Sequence, residues 1–192
     1  MFLTPRETEE GRAWWKARGL DGAGARVALC VGAADSYKVW PAEYFGALAR
    51  RLARQGAAVV LFGAAHEQGL MEQVRRAAGM DLVEARGLPL RLAAAVLARA
   101  HLLISNDTGP LHLAQAVDTP VLGLFGPTDP ASVGPRNPGD RVIKVPRTCD
   151  PCLVRGCKDN LCLRALSPER VWQEAERMLQ AAAPAADSAG GD

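Results

Sequence analysis

Short, uninterrupted apolar runs alternate with helix-length segments along nearly all of this 192-residue chain. RVALCV from Arg26, AAVVLF from Ala57 and PVLGLF from Pro120 are the clearest runs. Asp81 to Glu84, His101 to Ser105 and Arg141 to Val145 read as three more strands. Between them, helices are expected from Pro41 to near Gly56, Glu67 to Ala78, Leu90 to Arg99 and Leu111 to Val117. Thr4-Pro5-Arg6-Glu7 has the pattern of a capping box and opens a helix to about Arg18. Ser167-Pro168-Glu169 opens the last helix. Continuous apolar strands separated by helices predict an α/β fold. Its sheet is parallel and covered on both faces, a Rossmann-like doubly wound layer.

Bulk composition narrows the classes. Apolar residues make up 48% and charged residues 23%, the balance of a soluble globular domain. A net charge of +2 gives no argument for a nucleic-acid partner. No apolar run reaches the length of a membrane span. The start, MFLTPRETEE, carries acids and lacks the apolar stretch of a secretion signal. From Ala181 onward, AAAPAADSAGGD predicts a disordered tail.

Ligands of doubly wound sheets bind at the carboxyl ends of the strands, so the site chemistry is expected in the loops there. After the first strand, Lys38 precedes a helix start, where a point charge and aligned N–H dipoles can meet an anion. A solvated surface lysine fits the same pattern. After the second, Glu67 follows a glycine turn and can accept hydrogen bonds from ribose hydroxyls, or simply favour a helix N-terminus. After the fourth comes SNDTGPLH, residues 105 to 112. Gly109 lets a phosphate approach the backbone, Pro110 presets the helix, and Thr108 adds a donor. Asp107 would repel phosphate, so it holds sugar hydroxyls or caps the helix. His112 sits about one turn into that helix, as a ligand-side group or a satisfied half-buried histidine. After the fifth strand, Thr128 in GPTDP offers a further donor, or the segment is plain turn chemistry. There is no Walker loop, no G-x-G-x-x-G after the first strand and no D-x-D pair for a divalent metal. Charge on a leaving diphosphate would then fall to Lys38 and helix N-termini.

Together these residues resemble the nucleotide-sugar-binding half of glycosyltransferase family 9, the ADP-heptose:lipopolysaccharide heptosyltransferases. The resemblance is carried by KVWPAEYF, LFGAAHE, SNDTGPLHLAQAVDTPVLGLFGPTDP and CDPCLVRGCKDNLCL, within Arg26 to Leu179. It implies the C-terminal domain of a two-domain GT-B enzyme. That enzyme would transfer heptose or a related sugar from a nucleotide-diphosphate sugar to the lipopolysaccharide inner core or a lipid A precursor. Transfer would invert the anomeric centre and need no divalent metal or other cofactor. It would take place in the cytoplasm, with peripheral contact at the inner face of the inner membrane. The resemblance assigns catalytic roles to Lys38, on the diphosphate, and Asp107, on the sugar. It adds substrate contacts at Ala33, Ala34, Glu67, Leu88, Thr108, Gly109 and His112. Some family members have two threonines where Ala33 and Ala34 stand, so two hydroxyl contacts to phosphate are missing here. The division implied is a linker and first helix over 1–25, one nucleotide-sugar domain over 26–180 and the tail over 181–192. Trp14 and Trp15 would then pack at a domain boundary. The family's N-terminal domain binds the acceptor and supplies the general base. It is expected to be absent from this chain, or supplied by a separate chain.

Cys30 reads as a buried small hydrophobe, while Cys149, Cys152, Cys157 and Cys162 cluster within fourteen residues. Four thiolates at this spacing can hold a structural zinc ion or an iron–sulfur cluster; free thiols or a local disulfide are the other reading. Three rival functions remain. They are a non-catalytic or partner-dependent nucleotide-sugar-binding module, another GT-B enzyme such as a nucleotide-sugar 2-epimerase, and a small metal protein built on the cysteines.

Overall fold

A computed structural model describes residues 1–22, 24–146, 149, 157 and 159–182. Six strands form one parallel sheet: β1 (Arg26–Cys30), β2 (Ala58–Gly63), β3 (Val83–Arg86), β4 (Leu102–Asn106), β5 (Val121–Phe125) and β6 (Arg141–Lys144). The order is β3-β2-β1-β4-β5-β6, so the chain reverses direction across the sheet between β1 and β4. That junction is the switch point at which doubly wound sheets open a crevice. In register, Val27 faces Val59 on one side and Leu102 on the other, and Cys30 faces Phe62 and Ser105. The helices are α1 (Pro5–Lys16), α2 (Ala42–Arg54), α3 (Gln68–Ala78), α4 (Leu90–Leu97), α5 (Gly109–Gln115), α6 (Pro130–Val133), α7 (Leu161–Arg164) and α8 (Pro168–Ala182).

Both faces of the sheet are apolar because both are covered, which is why the central strands carry no polar alternation. On one face, Val27, Leu29, Leu102 and Ile104 pack with Phe45 and Leu48 of α2, Val74 of α3 and Trp172 of α8. On the other, Ala28, Cys30 and Leu103 pack with Trp14 and Trp15 of α1, Val96 and Leu97 of α4 and Leu111 of α5. Helix α1 lies so close to α4 that a Cβ on Gly11 would stand 2.4 Å from the Ala95 carbonyl oxygen. Trp15 closes that contact by donating from Nε1 to the Val96 carbonyl at 3.0 Å.

The α/β doubly wound expectation is met. Differences are local. β3 runs over 83–86 rather than 81–84, α5 starts at Gly109 rather than Leu111, and α8 extends into the expected tail, as far as Ala182. The rest of that tail lies outside the described residues. The four-residue helices α6 and α7 and the 3₁₀ turns Ser36–Lys38 and Ala65–Glu67 were not foreseen, since one turn of helix leaves no periodicity to read.

Candidate functional site

The loops leaving β1, β2, β4 and β5 gather at the carboxyl end of the sheet. Lys38 closes the 3₁₀ turn after β1, and Asp107 follows β4 directly. Their side chains meet across the switch point, Lys38 Nζ donating to Asp107 Oδ2 at 2.8 Å. The Asp107 side chain is 8% exposed and that of Lys38 21%. Burial alone would disfavour the ammonium, but the Asp107 hydrogen bond and charge, joined by Tyr37 and Asp35, outweigh it. The Lys38 pKa is held above its ordinary value. Asp35 is occupied in turn, accepting from the Tyr37 hydroxyl at 2.9 Å. Asp107 therefore serves as the partner of Lys38 rather than as a cap of α5.

Glu67 ends the 3₁₀ turn after β2 and folds back over the sheet. Its Oε2 accepts from the Ala64 amide at 2.7 Å. The carboxylate occupies the space a side chain on Gly32 would need: a Cβ there would stand 1.7 Å from Glu67 Oε1. A Cβ on Gly63 would stand 2.4 Å from Oε2. Two glycines at neighbouring strand ends thus form a seat for one carboxylate. Gly63 is the glycine turn expected beside Glu67, whereas Gly32 was not singled out, because its contact with Glu67 joins segments distant along the chain. Beneath it, burial, with the charge of Glu67, pushes the Cys30 thiol up to about 12, so this cysteine is a small core hydrophobe.

Thr108 precedes α5 in an extended conformation and makes no side-chain capping bond. Gly109 is exposed, and a Cβ there would meet nothing within 4 Å, so the backbone is open on that side. His112 is exposed on α5, with Nδ1 3.3 Å from Gln115 Oε1; it is not the half-buried histidine that one reading allowed. Gln115 Nε2 donates to Asp140 Oδ2 at 3.3 Å. Ala33 and Leu88 are half-buried and Ala34 is exposed, on the loops after β1 and β3. In the loop after β5, the Thr128 carbonyl accepts from Lys144, while its buried hydroxyl has no hydrogen-bond partner among the described residues.

Asn106, missed in the sequence, is wholly buried at the end of β4. It binds three backbone groups of the segment that carries Lys38, donating to Val31 and Gly32 and accepting from Trp40. Of the four clustered cysteines, Cys152 lies outside the described residues, so the metal reading falls there too. Cys149 is exposed, Cys157 half-buried and Cys162 buried in α7, against Gly126. Among the described residues, no group of three or more His, Cys, Asp or Glu is placed to hold a metal ion.

A lysine ammonium, two carboxylates and an open glycine backbone at a switch point can bind an anion flanked by hydroxyl-bearing groups. Comparison with known proteins leads the same way. The sequence profile of glycosyltransferase family 9 (heptosyltransferase) matches residues 15–162. Lipopolysaccharide heptosyltransferase 1 of Pseudomonas aeruginosa is 37% identical over 164 residues, which cover 75% of this chain and 45% of that protein. The crystal structure of a family 9 glycosyl transferase from Veillonella parvula superposes with a TM-score of 0.84 at 25% identity, over 94% of this chain and 53% of that one. An Escherichia coli heptosyltransferase solved with ADP gives a TM-score of 0.64 at 32% identity, over 81% of this chain and 45% of that one. The chain spans about half the length of the relatives it matches. It belongs to glycosyltransferase family 9, the heptosyltransferase family.

Proposed function

We propose that this chain is the donor-binding part of a heptosyltransferase, holding a nucleotide-diphosphate sugar, with ADP-heptose the best match. The observation that carries the reading is the Lys38–Asp107 pair, 2.8 Å apart at the switch point, beside Glu67 seated on two glycines. Lys38 meets the diphosphate and stabilises its charge as the sugar leaves. Asp107 orients sugar hydroxyls. Glu67 accepts from the ribose hydroxyls, with Leu88 beside the nucleotide. Ala33, Ala34, Thr108, Gly109 and His112 surround the phosphates. Identity to a heptosyltransferase solved with ADP supports adenosine as the nucleoside.

Transfer would go to a hydroxyl of the lipopolysaccharide inner core or its lipid A precursor, with inversion and without a divalent metal. Deprotonating that hydroxyl needs a base. Asp107 is engaged with Lys38 and Asp35 with Tyr37. As the family resemblance implies, the base and the acceptor site belong to a further domain, in the same protein or a partner chain. The reading carries with it a cytoplasmic location and peripheral contact with the inner membrane. Among the described residues no helix is long and apolar enough to cross a membrane.

Calorimetric titration with ADP, UDP and GDP in the presence of chelator tests the site. ADP is expected to bind best. Lys38→Ala is expected to weaken it by about ten- to a hundredfold, the worth of one charge-assisted hydrogen bond. Asp107→Ala should leave ADP binding largely intact and weaken the intact nucleotide sugar. Absence of nucleotide binding, or an absolute need for metal, would contradict the proposal.

A further inference from the structure

We propose that Asn106 is a positioning residue that sets the Lys38–Asp107 geometry by clamping both ends of the loop that carries Lys38; the inference rests on the nucleotide-sugar reading above. Its Nδ2 donates to the Val31 carbonyl at 2.9 Å and the Gly32 carbonyl at 3.2 Å, and its Oδ1 accepts from the Trp40 amide at 3.0 Å. The three partners fix the amide orientation, because two carbonyls require the donor end and one N–H requires the acceptor end. No other side chain of this size supplies two donors and an acceptor together. An aspartate would set an oxygen against two carbonyls, and a leucine would leave three buried backbone groups unpaired.

The segment so held begins at the end of β1 and ends two residues after Lys38. Trp40 anchors the far end a second time. Its ring packs edge-on against Phe45 with centroids 4.8 Å apart, and its Nε1 donates to the Leu166 carbonyl at 2.9 Å. Asn106 also adjoins Asp107 in the chain. One buried side chain therefore references the ammonium, its carboxylate partner and the Gly32 half of the Glu67 seat to the same strand end. Small displacements of such groups cost affinity out of proportion to their size.

The test is a double-mutant cycle on ADP affinity, measured by calorimetry in wild type, Lys38→Ala, Asn106→Ala and the double variant. Positioning through Lys38 predicts that Asn106→Ala weakens ADP about tenfold in the wild-type background and less than about twofold once Lys38 is gone. Equal losses in both backgrounds would mean a merely structural role and overturn the proposal. Unchanged affinity in Asn106→Ala, with Lys38→Ala weakened, would also overturn it while the nucleotide reading stands. Wild-type protein that binds no nucleotide would overturn both. Asn106→Ser provides the same cycle if the alanine variant does not fold. Amide exchange in the wild type adds a readout independent of ligand: the Trp40 amide is expected to exchange as slowly as the amides of β4. Fast exchange there overturns the clamp.

Discussion

Gly32 has room for no side chain because Glu67 fills that room, and this makes a clean substitution possible. The three atoms nearest a Cβ at Gly32 all belong to the flexible end of Glu67, and none is a backbone atom. Gly32→Ala should therefore expel the carboxylate without disturbing the sheet. The expected outcome is a melting temperature near that of the wild type and an ADP affinity reduced about tenfold, matching Glu67→Ala. Calorimetry and a thermal melt of both variants decide it, and an alanine variant with full affinity would remove Glu67 from the site. Residue type and position after a strand mark Lys38, Glu67 and Asp107 as candidates, and for Lys38 and Glu67 it is the family resemblance that sets them apart from a surface lysine and a helix-start glutamate. The Gly32 half of the seat could not be read in this way, because it depends on which strand ends lie side by side. Asn106 was hidden for a related reason. In the sequence it is one polar residue in a polar loop, and only its buried position makes its amide decisive.

Two elements, α1 and β1, are fastened by titratable groups, and each predicts an acid response in its own pH window. Thr4 caps α1 through its hydroxyl, and Glu7 returns the bond to the Thr4 amide at 2.8 Å and holds Arg91 of α4. Hydrogen bonds from Arg91 and Thr4 lower the Glu7 pKa from 4.5 to about 2. A folded pKa below the unfolded one means the contribution is present above pH 4.5 and is lost as pH falls toward 2. Helix α1 should thus loosen from α4 across that window, read as a change in tryptophan emission from Trp14 and Trp15. Glu7→Gln should flatten that response. At the start of β1, His101 Nδ1 accepts from the Arg26 amide at 2.9 Å. Burial, then Arg26 and Arg99, lower its pKa below 6.5. Stability from this contact is full above pH 6.5 and falls below it, so His101→Gln should lower the melting temperature at pH 7 and remove part of the slope below pH 6.5. The capping box of α1 was plain in the sequence, since its signals are local. β3 was misplaced because an edge strand carries charges. Glu84 and Arg86 pair with each other and with Arg75 and Gln68, so VEAR lacks the apolar run that marks a central strand.

Across the molecule, one sheet separates two apolar layers, and the site draws on strands that both layers share. β1 sends Val27 and Leu29 to one side and Ala28 and Cys30 to the other, so neither layer can dissolve without stripping a face of the same strands. Doubly wound topology could be anticipated for this reason: strands buried on both faces must read as unbroken apolar runs. The sharing predicts one cooperative transition. Trp15→Ala opens the α1–α4 layer and Phe45→Ala the α2–α3 layer. Each should cost about 3–5 kcal/mol, a large share of a stability of roughly 5–15 kcal/mol. Circular dichroism and tryptophan fluorescence should still report a single coincident melt in both variants, lowered by roughly 10 °C. ADP at about a hundredfold excess over its Kd adds about 2.7 kcal/mol to whichever protein it binds. The upward shift should therefore be the same for both variants and for the wild type, because Lys38, Asp107 and Glu67 stand at strand ends held by both layers. A two-step melt in either variant would show that the layers unfold separately. A ligand shift lost from one variant alone would show that the site is carried by that layer rather than by the sheet.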